Sequence, residues 1–200
     1  MELLIATRNR GKLEEIAEAL VSLHLSLRGA ADFPQVPDCE EGTASYEENA
    51  KAKALHYGAA TGLPALADDS GIEVAALGGA PGVLSARYGG DGLGDAERNA
   101  KLLSALRDVP DPERRARYVC VVTLAAKEEI RGVYRGEAEG ILLREPKGER
   151  GFGYDPIFYF PGLHLTFAQM LPAVKRPVSH RGKALALAAA AIRGNPDLLR

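Results

Sequence analysis

The chain has 200 residues, a formal net charge of -2 at pH 7 and 46% hydrophobic residues. These values are typical of one large globular domain, or of two lobes that share a core, and we expect residues 1–200 to form a single domain. The low charge argues against nucleic-acid binding through a bulk positive field. No apolar run approaches the ~20 residues that cross a bilayer, and the N-terminus lacks the basic leader of a signal peptide. Cys39 and Cys120 are too few for a disulfide framework and fit a reducing cytoplasm.

The first predicted elements are a buried strand, a polar loop and a helix. Residues 3–6 form a short apolar run, and apolar residues then recur at helical spacing up to Leu20. Thr7 or Asn9 is a suitable cap for this helix. The loop Thr7-Arg8-Asn9-Arg10-Gly11-Lys12 brings cations and unpaired backbone N–H groups to a helix N-terminus, an arrangement that binds anions. The loop is not a Walker P-loop, because the spacing of that motif is absent. These residues are compatible with a phosphate site and also with a basic, solvated helix start.

A second strand and a second helix follow. Residues 23–28 alternate between Leu and polar side chains, which predicts a half-buried strand. The next loop carries Glu40 and Glu41, which taken alone are interpreted as solvated acidic residues. The capping-box spacing of Ser45-Tyr46-Glu47-Glu48 predicts a helix that runs to about Thr61.

An acidic pair stands at the end of the next apolar run, in the sequence Asp68-Asp69-Ser70-Gly71. Successive side chains of a strand point to opposite faces of the sheet. The two carboxylates therefore reach one site only if the chain turns, and Ser70-Gly71 predicts that turn. These residues are compatible with a paired-acid site for a metal ion or for water activation, and also with a surface loop.

The middle of the chain predicts a helix and a long hairpin. Asp95 is the predicted cap of a helix whose apolar stripe indicates core packing with no catalytic role. The stripe consists of Asn99, Leu102, Leu103 and Leu106. Residues 117–126 and 130–143 predict two strands, with residues 127–129 as the turn between them. The polar face of the second strand indicates an exposed or subunit-facing side. Long antiparallel strands beside βα units predict a mixed sheet.

The stretch Gly151-Phe152-Gly153-Tyr154-Asp155 has the chemistry of a base-recognition loop. Glycines allow close backbone approach, an aromatic ring stacks on a base for ~1–3 kcal/mol, and the acid accepts a hydrogen bond from a ring N–H. By themselves these residues favour a tight turn anchored by aromatic side chains.

Further on, a basic cluster opens an Ala-rich helix that Ser179 caps. The adjacent His180 does not make a Ser-His-Asp triad with it, because neighbouring residues lack the required geometry.

Four of these stretches, taken together and in this order, resemble the signature of the inosine/xanthosine triphosphate pyrophosphatase family. They are Thr7–Lys12, Asp68–Gly71 with Gly78–Gly82, Gly151–Pro156 and Ser179–Arg181. The resemblance covers essentially the whole chain. It implies an α/β fold with two lobes around a long mixed β-sheet flanked by helices, and an active-site cleft between the lobes. It also implies a Mg²⁺-dependent homodimer that hydrolyses dITP, ITP and XTP to the monophosphate and pyrophosphate.

The resemblance also implies residue roles. Asp69 is the general base and a metal ligand, Ser70 contacts substrate, and the second metal ligand is Glu40 or Glu41, with Glu40 preferred. The other substrate-binding residues are Thr7, Arg8, Asn9, Arg10, Gly11 and Lys12 for the triphosphate, Phe152, Gly153, Tyr154 and Asp155 for the base, and Lys175, His180 and Arg181 near its 6-oxygen. Arg8 is a departure, because the family usually has a Gly there.

Two other functions compete with this interpretation. Maf-like nucleotide pyrophosphatases act on other nucleotides, and their characteristic strings match this chain poorly. A non-catalytic purine-nucleotide-binding module would need the anion loop and the aromatic loop but no metal-binding acids. Pyrophosphate release separates an enzyme from such a module, because a module binds the nucleotide without cleaving it.

Overall fold

The computed structural model describes residues 1–90 and 92–200 and contains a seven-stranded mixed sheet. The strands are β1 (Glu2–Ile5), β2 (Ser26–Gly29), β3 (Ala65–Val74), β4 (Arg115–Ala126), β5 (Glu129–Leu142), β6 (Phe158–Phe160) and β7 (Leu165–Thr166). Their order in the sheet is β2-β1-β3-β4-β5-β6-β7. β1 pairs in parallel with β2 and β3, whereas the remaining neighbours are antiparallel. The predicted mixed sheet is therefore confirmed.

Three of the five helices in the described residues begin directly after a side chain that caps them. The five helices are α1 (Arg10–Leu20), α2 (Tyr46–Thr61), α3 (Asp95–Ala105), α4 (Pro172–Lys175) and α5 (His180–Gly194). The side chains of Asn9, Ser45 and Ser179 cap α1, α2 and α5 by accepting backbone N–H bonds from the third residue beyond each. No helix in residues 1–90 or 92–200 is long and apolar enough to cross a membrane.

Strand β4 distributes its side chains between the two faces of the sheet. Cys120, Val122 and Leu124 pack with α5 and α1, while Val119 and Val121 pack with α2. This alternation follows from the two-residue period of a strand. Helices therefore cover both faces of the central sheet, as the resemblance implies.

The long strands also join two lobes. Leu66 of β3 belongs to the core beneath α1 and α5, whereas Ile72 of the same strand belongs to a second core built around Phe158 and Phe167. Tyr118 of β4 lies in this second core as well. The cleft described below opens between the two lobes.

Three local predictions were wrong. The chain does not turn at Ser70-Gly71, because β3 continues through them and pairs with β4 along its whole length. Gly71 instead permits close packing, since a Cβ there would lie 2.2 Å from the carbonyl oxygen of Gly82. Of the strand predicted at residues 23–28, only residues 26–28 belong to a strand, which is Ser26–Gly29 and follows a 3-10 turn. Gly94, not Asp95, is the N-cap of α3.

Candidate active site

A cavity of about 560 Å³ lies between the lobes and gathers most of the predicted site residues. Those that line it are Thr7, Arg8, Asn9, Lys12, Glu41, Asp69, Ser70, Phe152, Gly153, Tyr154, Asp155, Lys175, His180 and Arg181. Its size is that of a small-molecule site. Glu40 is exposed and is not among the lining residues. Arg10 and Gly11 line a neighbouring cavity of about 490 Å³.

The side chain of Phe152 stands between the two cavities and lines both. Its ring packs on Gly11, where an added Cβ would lie 2.6 Å from Phe152 Cδ1. The charged groups of Lys175 and Arg181 each lie 5.4 Å from the ring centroid, at cation–π distance. The ring is thus held beside the two cations while one of its edges contacts Gly11 in the 7–12 loop.

On one side of β3, the Asp69 carboxylate meets helix α2. Asn49 Nδ2 donates to Asp69 Oδ2 at 2.9 Å, and Lys53 Nζ lies 3.6 Å from Asp69 Oδ1. Lys53 also donates to Glu41 at 2.7 Å. Asn49 and Lys53 lie one helical turn apart, so both point to the same side of α2. Sequence reasoning gave these two residues no role in the site, because their burial is visible only in the structure.

Burial is the largest influence on the pKa values of Asp69 and Lys53. It raises the pKa of Asp69 above its usual value, although Lys53 and Asn49 oppose the shift. Burial disfavours the charged form of Lys53 too, but Asp69, Asp68 and Glu41 outweigh it and its pKa is raised. A carboxylate with a raised pKa beside a retained cation is suited to act as a general base on bound water.

Asp68 lies on the other side of β3, as the alternation of a strand requires. Its Oδ2 is 3.2 Å from Lys12 Nζ and accepts bonds from Arg181 at 3.1 and 3.2 Å. Burial alone would raise the pKa of Asp68, but these two cations hold it below the usual range. Asp68 therefore links Lys12 in the 7–12 loop to Arg181 of α5 through a carboxylate whose pKa is lowered, whereas Asp69 contacts α2 on the opposite side of β3.

Lys175 and Arg181 are held by carboxylates at the other end of the cleft. Lys175 Nζ donates to Glu15 at 2.7 Å and to Asp155 at 2.6 Å. Arg181 donates to Glu15 at 2.6 Å and to Ser70 Oγ at 2.8 Å, in addition to Asp68. Among the described residues, these bonds use two of the three N–H groups of Lys175 and four of the five of Arg181. Lys175 and Arg181 each retain one N–H group that does not bond another described residue, and both side chains line the cavity.

His180 is a neutral member of the site. Burial, together with the nearby Arg181 and Lys175 charges, holds its pKa well below the usual value. Its ring stacks on Tyr118 with a centroid distance of 4.3 Å. Within residues 1–90 and 92–200, its Nδ1 atom has no hydrogen-bond partner. The ring is therefore an uncharged wall of the cleft that retains hydrogen-bonding capacity.

Arg8 attaches the 7–12 loop to the loop at residues 36–41. Its guanidinium donates to Asp38 Oδ1 at 2.6 Å and to the carbonyl of Val36 at 2.9 Å. Tyr57 of α2 donates to the same Asp38 oxygen at 3.2 Å. A Gly at position 8, as is usual in the resembled family, has no side chain for this link. Arg8 thus contacts the loop that carries Glu41 as well as the cleft.

The 151–155 loop is fixed from several directions. Asp155 Oδ2 accepts from the Phe152 N–H at 3.1 Å, and the Tyr154 hydroxyl donates to the carbonyl of Ser85 at 2.8 Å. Gly151 and Gly153 have φ values of 74° and 62°, a left-handed conformation that favours glycine. The loop is therefore both the predicted tight turn with buried aromatic anchors and a wall of the cleft.

Two carboxylates could hold a hard cation. Asp69 and Glu41 both contact Lys53, which places their oxygens around one positive charge. Residues 1–90 and 92–200 contain no group of three or more His, Cys, Asp or Glu side chains that could hold a metal ion. Mg²⁺ usually takes one or two carboxylates and completes its shell with water and substrate phosphates, so this pair fits a Mg²⁺ site that the substrate completes.

Comparison with known proteins identifies the family of the chain. The Ham1 family model matches residues 3–191. A dITP/XTP pyrophosphatase from Geobacter sulfurreducens is 49% identical over 185 residues, 92% of this chain and 93% of that protein. One from Thermus thermophilus is 49% identical over 196 residues, 98% and 94% respectively. A HAM1 protein structure from Coxiella burnetii is 43% identical, has a TM-score of 0.88, and the match covers 97% of this chain and 99% of that one. The family resemblance is confirmed, and the chain belongs to the Ham1 family.

Proposed function

We propose that this chain hydrolyses the non-standard purine nucleoside triphosphates dITP, ITP and XTP to the monophosphate and pyrophosphate, and so removes them from the nucleotide pool. One observation carries the proposal: a single cleft is lined by Asp69 and Lys53 and also by Phe152, Lys175 and Arg181. These groups suit a nucleotide whose phosphates lie beside Asp69 and Lys53 and whose base lies beside Phe152. Relatives named dITP/XTP pyrophosphatase support it.

The proposed chemistry is attack of water on the α-phosphorus. Asp69 positions the water and accepts its proton, the new P–O bond forms, and the bond to the bridging oxygen breaks so that pyrophosphate leaves. Lys12 neutralises charge on that bridging oxygen. Asp69 and Glu41 would hold Mg²⁺, which when bound supplies positive charge beside the triphosphate oxygens. We prefer Glu41 to Glu40 because only Glu41 reaches the cleft.

Base selectivity follows from the remaining donors of Lys175 and Arg181. Inosine and xanthosine carry an acceptor oxygen at ring position 6, whereas adenine carries a donor amine. A remaining N–H satisfies the oxygen and opposes the amine, and an unpaired polar group in a closed site discriminates strongly. Phe152 supplies the stacking surface, and stacking on its ring does not discriminate between bases.

The proposed setting is a homodimer in the cytoplasm. The dimer stays an implication of the family resemblance, together with the polar outer face of β5, where Arg135 and Glu139 are exposed. The compartment is supported by Cys39 and Cys120, which are both free thiols. A membrane or nucleic-acid partner has no support in the composition or charge of the chain.

The test is a panel of dITP, XTP, ITP, dATP and GTP, scored for pyrophosphate against phosphate release with and without Mg²⁺. We expect pyrophosphate and the monophosphate from dITP, a requirement for Mg²⁺, and a much lower kcat/KM for dATP. Asp69→Asn should lower kcat by about 10²- to 10⁴-fold, because the substitution removes the proton acceptor and the negative charge that would help to hold Mg²⁺. Nucleotide binding should survive, because Phe152, Lys175 and Arg181 are unchanged.

The matched control is Glu128→Gln, which removes an exposed carboxylate from the β4–β5 turn and should leave kcat unchanged. Wild-type turnover in the Asp69→Asn variant would refute the assignment of the base. Tight nucleotide binding by the wild type without pyrophosphate release would instead favour a non-catalytic binding module.

A further inference from the structure

Helix α3 holds the base-recognition loop through the two peptide groups on either side of Gly153. The Gly153 N–H donates to Asp95 Oδ2 at 2.6 Å. The Gly153 carbonyl accepts from Asn99 Nδ2 at 3.0 Å. Asp95 and Asn99 are four residues apart and therefore lie on one face of α3. The first of these peptide groups joins Gly153 to Phe152, so the helix fixes the backbone that carries the stacking ring.

Asn99 is placed where packing alone would favour an apolar residue. It is only 4% exposed and belongs to the same stripe as Leu102 and Leu106, both fully buried. A buried amide is costly unless it is hydrogen-bonded, and its Nδ2 bond is made to the loop rather than to its own helix. This choice of residue indicates a role in holding the loop.

Asp95 approaches the loop from the rim of the cleft. Its other carboxylate oxygen accepts from Arg98 at 3.1 Å, and both residues line the cavity. A charged acceptor strengthens a bond from a backbone N–H. Together with the Tyr154 hydroxyl on Ser85, these contacts connect the loop to α3 and to the 82–87 turn, which are not the elements that carry Lys175 and Arg181.

We propose that Asp95 and Asn99 are positioning residues for base recognition, a role that rests on the proposed function. They act through the backbone of Gly153, which both of them bond. They hold Gly153 so that the Phe152 ring presents a base at hydrogen-bonding distance from Lys175 and Arg181. Asp69 and Lys53 belong to β3 and α2, so the hydrolytic end of the cleft does not depend on this contact.

The kinetic test compares Asp95→Ala and Asn99→Ala with the wild type on dITP and dATP. Each variant loses one hydrogen bond to the loop. We expect KM for dITP to rise about three- to tenfold, kcat to change by less than about twofold, and the dITP-to-dATP ratio of kcat/KM to fall about threefold or more. Asp95→Asn keeps an acceptor oxygen and should recover most of the loss.

Glu97→Ala is the matched control for helix stability. Glu97 lies in the same first turn and accepts from the Gly94 N–H at 2.8 Å, but it does not contact the loop. This variant weakens the helix start while leaving Gly153 held, so KM and selectivity should stay at wild-type values. If Asp95→Ala and Asn99→Ala lowered stability as Glu97→Ala does and left KM and the dITP-to-dATP ratio unchanged, the proposal would be overturned.

Two further measurements separate this proposal from the proposed function. Hydrogen–deuterium exchange reports the Gly153 amide directly, and we expect faster exchange in Asp95→Ala but not in Glu97→Ala. Calorimetric binding of dIMP, the expected product, should weaken in Asp95→Ala by about the same factor as KM rises. Faster exchange and weaker dIMP binding, without pyrophosphate release from dITP by the wild type, would overturn the proposed hydrolysis only. Unchanged exchange and unchanged dIMP binding would overturn the positioning role only.

Discussion

At the scale of single residues, the cleft repeatedly places a buried cation between two carboxylates. Lys53 lies between Glu41 and Asp69, and Lys175 lies between Glu15 and Asp155. Each cation is fixed before any nucleotide arrives, so its charge is oriented without a conformational search. Such pairs add little net stability, but removing one partner leaves an uncompensated buried charge that costs about 3–5 kcal/mol.

A pH effect on stability belongs to this scale, and it involves His180. Its folded pKa is held well below the usual value by burial and by neighbouring cations. The unfolded chain takes up a proton at about 6.5. Between these two pKa values the unfolded state binds more protons, so the free energy of unfolding must fall as the pH drops below about 6.5. The slope from this one group is at most about 1.4 kcal/mol per pH unit.

His180→Phe isolates this contribution, because Phe keeps an aromatic ring against Tyr118 and cannot titrate. Denaturant unfolding at about pH 7.5 and about pH 5.5 measures the loss on acidification in both proteins. We expect the variant to lose less stability than the wild type over that interval. An equal loss in the two proteins would mean that His180 is protonated in the folded state at the lower pH.

Sequence reasoning located much of the site but not its supporting residues. Phe152 and Asp69 were predicted because they stand in motifs that are contiguous along the chain. Glu15 was missed because its partner Arg181 is 166 positions away, and only the packing of α1 beside α5 brings them together. Asn99 gave a usable signal, an amide within an apolar stripe, which was interpreted as core packing.

At the scale of elements, helix starts were predictable and strand continuity was not. The cap at Ser45 depends on atoms a few residues apart, which the sequence displays directly. The continuity of β3 through Gly71 depends on pairing with β4, about 50 residues further along the chain, and on the chain at Gly82 packing onto it. Ser70 and Gly71 favour a turn locally, but they lie in the strand because the hydrogen bonds between β3 and β4 outweigh the turn preference of two residues.

Helix α5 depends on a glycine of β5 in the same manner. A Cβ at Gly136 would lie 2.2 Å from the His180 carbonyl oxygen and 2.6 Å from the Ala184 nitrogen. Gly136→Ala should therefore push the first turn of α5 off the sheet and destabilise the fold by about 1–3 kcal/mol. Because that turn carries Arg181, dITP binding should weaken as well. Denaturant unfolding and calorimetric titration measure the two effects.

Gly58→Ala in α2 is the contrasting substitution. Its Cβ would meet its nearest neighbour at an ordinary 3.6 Å, so the better helix former should stabilise the protein by up to about 1 kcal/mol. Equal stabilities for the Gly136→Ala variant and the wild type would show that α5 can move away from the sheet without cost.

At the scale of the whole molecule, the two lobes share their longest strands. β3 contributes Leu66 to one core and Ile72 to the other, and β4 contributes Cys120 and Tyr118 in the same way. Neither lobe can therefore lose its core while the other keeps an intact sheet. The cleft between the lobes is anchored to a common framework.

We accordingly expect residues 1–200 to unfold in one cooperative transition. Scanning calorimetry should give a ratio of calorimetric to van't Hoff enthalpy of about 1 for the folded unit. Circular dichroism and tyrosine fluorescence should give the same unfolding midpoint if the transition is cooperative. The comparison is informative because Tyr118 and Tyr57 lie in different core clusters. Two resolved transitions would mean that the lobes unfold separately.

The position of Phe152 also has a consequence for inhibitor design. A purine-sized compound fits the cleft with the ring in place. The cavity behind the ring has an apolar surface that includes Phe167, Met170 and Leu185. A compound with an apolar arm that displaces the ring would occupy both spaces and gain contact area that a natural nucleotide does not use. Its affinity for each relative would then depend on the residues behind the ring rather than on those that read the base.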